Sequence, residues 1–401
     1  MAEYPSVERL TPLDSLMPNT YIRALFTFAT TESPARVSAR LQHGLDHLVQ
    51  QLPWISGRIV PRDPTKGNVS EIHFDSNIVP QLVDKGLITL EYKELCQLGM
   101  PPDAIPDAVD ADGFAALVRR WVQSCKPSDT HPMALQGRNA QLLNALSGDL
   151  AAILPVSRDD LLARHPEYSS IPSSFPTEFP SCTSKVFTIP MVNVNAIKAH
   201  LPASPSTNTV LCALLWTAIT RARHSRNPLI QTSSRLAMAV NGRRRISTSF
   251  STPEDPYMGN VILYSLANLP VHTLVHQSQS PEIYNAIAQF AASSRINARH
   301  IAEVYRLADC SDHLHVGWDL FSSCNLTITS WADLGLYEMD FGGSLGRPTC
   351  IRVPYTEADG VGLILPAKNS DDTVEVMVML RRDDMNLLEK DRLWKSVVAV
   401  S

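Results

Sequence analysis

The sequence predicts a mixed α/β fold in two domains, and three observations carry that expectation. Its 401 residues exceed the usual size of one domain. Strand-like and helix-like periodicities alternate in both halves, which fits helices layered on sheets rather than an all-helical or all-β chain. Between the halves, residues 164–184 carry a Pro- and Ser-rich run, Ser169-Ser-Ile-Pro-Ser-Ser-Phe-Pro-Thr-Glu-Phe-Pro-Ser181, that sustains neither regular structure. The expected division is a first domain over 1–163, a crossover over 164–184 and a second domain over 185–401.

The elements follow in order. Tyr21 to Phe28 alternates like a strand, and Ser33-Pro34 then supplies an N-cap with proline at the first helical position. Val37, Leu41, Leu45, Leu48 and Leu52 share one face of the helix that follows; Pro53 stops it and Gly57 to Val60 starts a strand. From Asp110, the residues Phe114, Leu117, Val118, Trp121, Val122 and Cys125 fall at the offsets of an amphipathic helix with carboxylates in its first turn.

The second half predicts a strand at Lys185–Ile189, then a helix at Thr207–Arg223 burying Val210, Leu211, Leu214, Leu215 and Ala218. Strands are expected at Ser234–Val240 and Val261–Leu266, then one long helix over about Pro281 to Leu307. Further strands are expected at Leu326–Ser330, Gly360–Leu365 and Val374–Leu380, with a helix at Arg382–Trp394.

A formal net charge of -5 with scattered arginines disfavours nucleic acid and anionic membranes, leaving a small molecule as the expected partner. The seven cysteines are odd in number and contain no Cys-x-x-Cys, so reduced thiols are expected rather than disulfides or a zinc centre. The N-terminus shows no secretory signal, and the richest apolar run, Val210 to Ile219, is too short to span a bilayer; the cytoplasm is the expected location. There is no Gly-x-Ser-x-Gly, phosphate-binding glycine loop or dinucleotide fingerprint, which disfavours hydrolase, kinase and dehydrogenase chemistry.

Six stretches in fixed order carry a resemblance: Leu10-Thr-Pro-Leu-Asp-Ser-Leu-Met-Pro18, Leu52-Pro-Trp-Ile-Ser-Gly-Arg58, Val240-Asn-Gly-Arg-Arg-Arg245, Tyr257-Met-Gly-Asn260, Ser330-Trp331, and Asp340-Phe-Gly342 with Gly346-Arg-Pro348. Together, over nearly the whole chain, they resemble the fungal, trichothecene acetyltransferase-like branch of the BAHD acyltransferases. The resemblance implies two chloramphenicol-acetyltransferase-like domains around a channel. Acyl-CoA, here acetyl-CoA, enters one mouth as co-substrate, and a small-molecule alcohol or amine enters the other. It implies no permanently bound cofactor, no metal and a monomer.

Catalysis in that family rests on a His-x-x-x-Asp motif whose histidine takes the acceptor's proton, a step its near-neutral pKa suits. A tryptophan eleven residues after the aspartate marks the register, so Trp121 points to Asp110 and the histidine place falls on Pro106. Taking Asp112 instead puts Ala108 there, and no histidine occurs between His73 and His131. A block including the histidine-bearing strand is therefore expected to be missing from the first domain. A mis-joined gene model or splice form, a degenerate homologue and a relocated base all fit. The resemblance further implies that Asp110 holds its loop, through Asn241, Arg243 or Arg245; that Asp340, Phe341 and Gly342 are structural near the CoA mouth; and that Tyr257, Gly259, Asn260, Ser330 and Trp331 line the substrate channel.

Plainer readings stand beside these. Asp110 also suits an N-cap, Arg243 to Arg245 a solvated basic face, and Tyr257 to Asn260 a turn that needs its glycine. His315-Val-Gly-Trp-Asp319 matches the motif literally but lacks the helix afterwards. His43 with His47 and His272 with His276 have metal-ligand spacing without a third ligand. The functional expectation is an acyl-CoA-dependent O-acyltransferase acting on a fungal secondary metabolite with its general base absent. The alternatives are N-acylation of an amine and a non-catalytic homologue or truncated isoform that binds a metabolite or partner.

Overall fold

The computed structural model describes residues 6–16, 23–61, 70–87, 91–101, 118, 121, 122, 124, 125, 137–153, 155–174, 176–201, 204–228, 231–252, 257–276, 281–321, 323–368 and 372–399. Its strands are β1 (Ser6–Arg9), β2 (Leu25–Thr27), β3 (Arg58–Pro61), β4 (Ser70–Phe74), β5 (Tyr168–Ser169), β6 (Cys182–Pro190), β7 (Ser233–Asn241), β8 (Ile262–Pro270), β9 (His315–Val316), β10 (Leu326–Ser330), β11 (Cys350–Arg352), β12 (Val361–Ile364) and β13 (Thr373–Arg381).

The second half is organised by a six-stranded sheet in the order β6-β13-β12-β10-β7-β8. Strand β10 runs parallel to β7 and β12, and the other pairs are antiparallel. The helix Thr207–Arg226 packs on this sheet and is itself covered by the helices Val271–Val275, Pro281–Ser293 and Arg382–Leu388. Covered on every side, it buries Cys212, Ala213, Trp216, Thr217 and Ile219 besides the five residues of the expected face. Its one indole donor is satisfied: Trp216 Nε1 donates to Ser234 Oγ at 2.8 Å.

Burying this helix carries two arginines inward, and each finds carboxylates. Arg223, 1% exposed, donates from Nη2 to Asp359 Oδ1 at 2.6 Å and from Nη1 to the Asn325 carbonyl at 2.8 Å. Arg226 forks onto fully buried Asp384 at 2.5 and 3.2 Å. Gly360 has φ +83°, and a Cβ there would stand 2.7 Å from the Arg223 guanidinium, so a side chain is excluded on both counts.

In the first half, the helix Pro34–Gln51 and the strand after Pro53 form as expected, with a 3-10 turn over Pro53–Ser56 between them. The strands there lie in two separate small sheets among the described residues. One is β1-β4-β3; the other pairs β2 with β11 from the far end of the chain. Phe26, Phe28, Val118 and Val122 of the first half share a core with Trp331, Phe341, Ile351 and Met377.

Several expectations are corrected. The expected strand Tyr21–Phe28 is described only from residue 23 and is a strand over Leu25–Thr27 alone. The expected helix from Asp110 lies mostly outside the described residues; 118, 121, 122 and 124 are helical. The crossover is not without regular structure: Tyr168 is buried and pairs with Val316 as β5-β9, and β6 begins at Cys182. The single helix over Pro281–Leu307 is two, Pro281–Ser293 and Ala298–Asp309. Asn297 breaks it by turning extended and accepting the His300 N–H, a side chain competing with the helical backbone. Asp391 likewise splits Arg382–Trp394, capping Arg392–Val397 by accepting from Trp394 N. All seven cysteines are free. No helix among the described residues is long and apolar enough to cross a membrane.

Candidate active site

Four of the six signature stretches meet at one place. Thr11 and Asp14 cap each other, Thr11 N donating to Asp14 Oδ2 at 2.7 Å and Asp14 N to Thr11 Oγ1 at 3.2 Å. This leaves Asp14 Oδ1 to accept the Asn260 backbone N–H at 2.8 Å. Asn260 in turn donates from Nδ2 to the Leu13 carbonyl at 2.6 Å and accepts from Ile262 N at 2.8 Å. Arg138, on the helix Arg138–Ala152, reaches Glu8 at 3.0 Å and Asp14 at 3.9 Å while lying 4.9 Å over the Trp54 ring.

The Arg243 guanidinium closes the other side of the turn. It donates from Nε to the Tyr257 carbonyl at 2.9 Å and from Nη2 to the Gly259 carbonyl at 2.7 Å. Burial pulls its pKa below the usual arginine value. Tyr257 stacks on Phe250 at 4.7 Å, and its hydroxyl lies where a Cβ on Gly259 would come within 2.3 Å of it. Gly259 is therefore required by a close approach. Burial, then Asp14, pushes the Tyr257 pKa up, so the hydroxyl stays a proton donor.

The structure thus brings Arg243, expected to support the loop of Asp110, together with Tyr257, Gly259 and Asn260, expected along the channel, in one network. Arg245 points elsewhere, to the Ser294 and Ile296 carbonyls at 3.1 and 2.5 Å. Arg243 is half-buried and bound, whereas Arg244 and Arg245 are exposed, as the solvated basic face would have them. Asp110, with Pro106, Ala108 and Asp112, lies outside the described residues. Replacing Asn260 by alanine leaves the Leu13 carbonyl with only the Leu16 N–H at 3.3 Å and takes the side-chain acceptor from the Ile262 N–H; a loss of about 1–3 kcal/mol in urea unfolding is expected, against little change for Arg244→Ala.

The remaining stretches form a separate junction. Ser330 ends β10 opposite Ile364, and buried Trp331 donates its backbone N–H to the Ile364 carbonyl at 2.8 Å. Asp340 Oδ1 accepts the Gly342 N–H at 3.0 Å, with Gly342 at φ +78°. Phe341 meets Phe28 edge-on at 4.9 Å and Trp121 at 6.3 Å. Arg40, paired to Glu32 at 2.7 Å, donates to the Gly342 carbonyl at 3.2 Å. Asp340, Phe341 and Gly342 thereby pin the second half to Trp121 and to the helix Pro34–Gln51. A cavity of about 350 Å³ opens nearby between Met100, Tyr337, Cys350, Arg352 and Lys368; its Arg352 is held bidentately by Glu375 at 2.9 and 2.7 Å.

His315 belongs to the short β9 and stacks on His313, not to a strand-to-helix junction. His43 meets His47 edge-on on the helix Pro34–Gln51, and His276 lies just past the end of the helix that carries His272.

Sequence reasoning missed a buried cluster where the crossover begins. His165 Nδ1 lies 3.0 Å from Glu167 Oε1 and its Nε2 3.2 Å from Glu303 Oε2; His300 Nε2 lies 3.1 Å from Glu167 Oε1. Arg164 and Arg299 hold Glu303 Oε1 at 3.5 and 3.3 Å. The signal was present as His165-x-Glu167 beside the Pro- and Ser-rich run and His300 with Glu303 one helical turn apart. Burial raises the Glu167 carboxyl, but His165 and His300 outweigh it and hold it at about 2. A depressed carboxylate pKa stabilises the fold above its unfolded value and stops doing so as pH falls through the folded one. Stability is therefore expected to drop between about pH 4.5 and 2, with that part of the drop missing in Glu167→Gln, as acid titrations followed by circular dichroism would read.

A family model for the Transferase family matches residues 183–393. The O-acetyltransferase ptmV of Penicillium ochrochloron is 24% identical over 482 residues, covering 96% of this chain and 95% of that protein. The trichothecene 8-O-acetyltransferase of Fusarium sporotrichioides is 25% identical over 481 residues, covering 95% and 96%. Among solved structures, F. graminearum TRI101 with coenzyme A and deoxynivalenol has the same fold, with TM-score 0.76, 17% identity and coverage of 98% and 99%. The chain belongs to the Transferase family of BAHD-type, acyl-CoA-dependent acyltransferases, in the fungal trichothecene acetyltransferase-like branch.

Proposed function

We propose that this chain derives from an acetyl-CoA-dependent O-acetyltransferase of fungal secondary metabolism and lacks that enzyme's general base. The observation that carries the first part is the network joining Asp14, Asn260, Arg243 and Tyr257, which ties the N-terminal signature to the turn expected to line the acceptor channel. In the reaction, a base takes the acceptor's hydroxyl proton as its oxygen attacks the thioester carbonyl. A C–O bond forms, the C–S bond breaks, and coenzyme A leaves as a thiolate that takes up a proton. Ser330, Trp331, Tyr257, Gly259 and Asn260 line the channel in this reading, and Asp110 with Arg243 or Arg245 supports the loop that would carry the base. Two domains, 1–163 and 185–401, enclose that channel in a cytoplasmic monomer.

The second part is supported by the first half's exposed apolar surface. Ile59 on β3 is 67% exposed, and Val7, Val83, Leu87 and Leu98 are also open to solvent. Its described strands form two separate sheets, as they would with a strand gone from between them. The relatives align over 481 and 482 residues against a 401-residue chain, so they carry positions with no counterpart here.

The same surface favours a second reading, a non-catalytic isoform that binds a metabolite or partner. Both are tested by calorimetric titration with coenzyme A, then assay of thiol release from acetyl-CoA with a panel of alcohols and amines. Transfer to alcohols establishes the enzyme, binding without transfer leaves the second reading, and a folded chain that does not bind coenzyme A removes the enzyme reading. Sequencing the native transcript across the codons for Leu95 to Trp121 separates a mis-joined gene model from true loss.

A further inference from the structure

We propose that His165, Glu167 and His300 form a binding site for a divalent transition-metal ion of the zinc class, with Glu303 as a positioning residue. His165 follows the helix Arg158–Arg164, Glu167 lies in the next turn, and His300 stands in the first turn of the helix Ala298–Asp309. One ligand atom from each of the three lies within 4.8 Å of the others. The two nitrogen–oxygen separations, 3.0 and 3.1 Å, are close to the roughly 3.3 Å between neighbouring ligand atoms of a tetrahedral zinc ion with bonds of about 2.0–2.2 Å.

The hydrogen-bond bookkeeping points to a cation. Glu303 is held as an acceptor by Arg164 and Arg299, so the His165 Nε2 that faces it carries a hydrogen. With Nε2 protonated, the His165 ring meets Glu167 Oε1 at 3.0 Å either through a second ring proton or through a cation that takes the Nδ1 lone pair. A doubly protonated His165 would satisfy both carboxylates, but it leaves His300 unexplained. The His300 Nε2 is buried and has no hydrogen-bond partner, although Glu167 Oε1 lies 3.1 Å away off the hydrogen-bonding line. One metal ion takes the lone pairs of Nδ1 and Nε2 and the charge of Glu167 together. The carboxylate–histidine–metal relay through Glu303 is the arrangement that orients metal-bound imidazoles. Two imidazoles and one carboxylate leave a fourth position for water, and the His300 side chain, 26% exposed, gives an entry path. The ion would staple the start of the crossover to the helix Ala298–Asp309.

The test uses the full chain without a histidine tag, stripped with a chelator and titrated with Zn2+ by calorimetry and with Co2+ by visible absorption. One equivalent of Zn2+ and the intense d–d bands of tetrahedral Co2+ are expected. His300→Ala is expected to lose both, and Glu303→Gln to weaken zinc binding about 10–100-fold. Zinc taken up equally by wild type and His300→Ala would place it on exposed thiols such as Cys96 and Cys310 and overturn the proposal. A wild-type chain that takes up no zinc would overturn it as well, whether or not the variants fold, and would leave an ion-pair cluster.

Discussion

Acetyl-CoA turnover by this chain is expected to fall roughly a hundredfold to ten-thousandfold below that of the same chain with a histidine-bearing strand restored between Leu95 and Trp121, the range that a positioned general base contributes. Positioning alone can support a residue of transfer, since aligning acceptor and thioester lowers the barrier without proton removal. Pro106→Ala is expected to change little. Pro106→His restores the literal spacing to Asp110 without the strand, and is expected to recover less than the complete insertion because a base must be held in line with the acceptor oxygen. The measurement is thiol release at saturating acetyl-CoA for the four proteins. Equal rates for the native and strand-restored chains would sink the missing-base reading and point to a base elsewhere in the molecule.

Arg223→Met is expected to cost about 3–5 kcal/mol in urea unfolding, the range for removing one partner of a buried ion pair. The substitution keeps the apolar stem of the side chain but abandons Asp359, 3% exposed, and the Asn325 carbonyl. Pairing it with Asp359→Leu is expected to return much of the loss, because the unpaired charge and not the missing attraction dominates the penalty. A double variant as unstable as the single one would instead assign the cost to packing around Gly360.

The sequence was most legible where one periodicity governed a long stretch. Val210, Leu211, Leu214 and Leu215 announced a buried helix, and β6, β7, β10 and β13 lie where alternating or β-branched runs placed them. Legibility failed where a single polar side chain decided the outcome. Asn297 and Asp391 each divided what the apolar pattern read as one helix, because capping is local while the hydrophobic repeat continues across it. The site was legible as stretches but not as contacts. Tyr257-Met-Gly-Asn260 could be marked, yet that Asn260 satisfies Leu13 depends on a pairing of residues 247 apart. The His165 cluster was missed for the same reason, since its two halves lie 138 residues apart in sequence.

The pairing of β2 with β11 has a consequence for how the chain is made. Thr27 donates its hydroxyl hydrogen to the Cys350 carbonyl across 323 residues. At about 5–20 residues per second of synthesis, β2 waits roughly 15 to 65 seconds on the ribosome for its partner strand. During that interval the aromatic core around Phe26 and Phe28 has no Phe341 to close on, so the nascent first half presents Ile59, Val83 and Leu87 together with an unclosed core. Such long-range pairing slows folding and exposes the chain to aggregation. Chaperone capture of the nascent first half during translation is therefore expected to raise the yield of soluble protein.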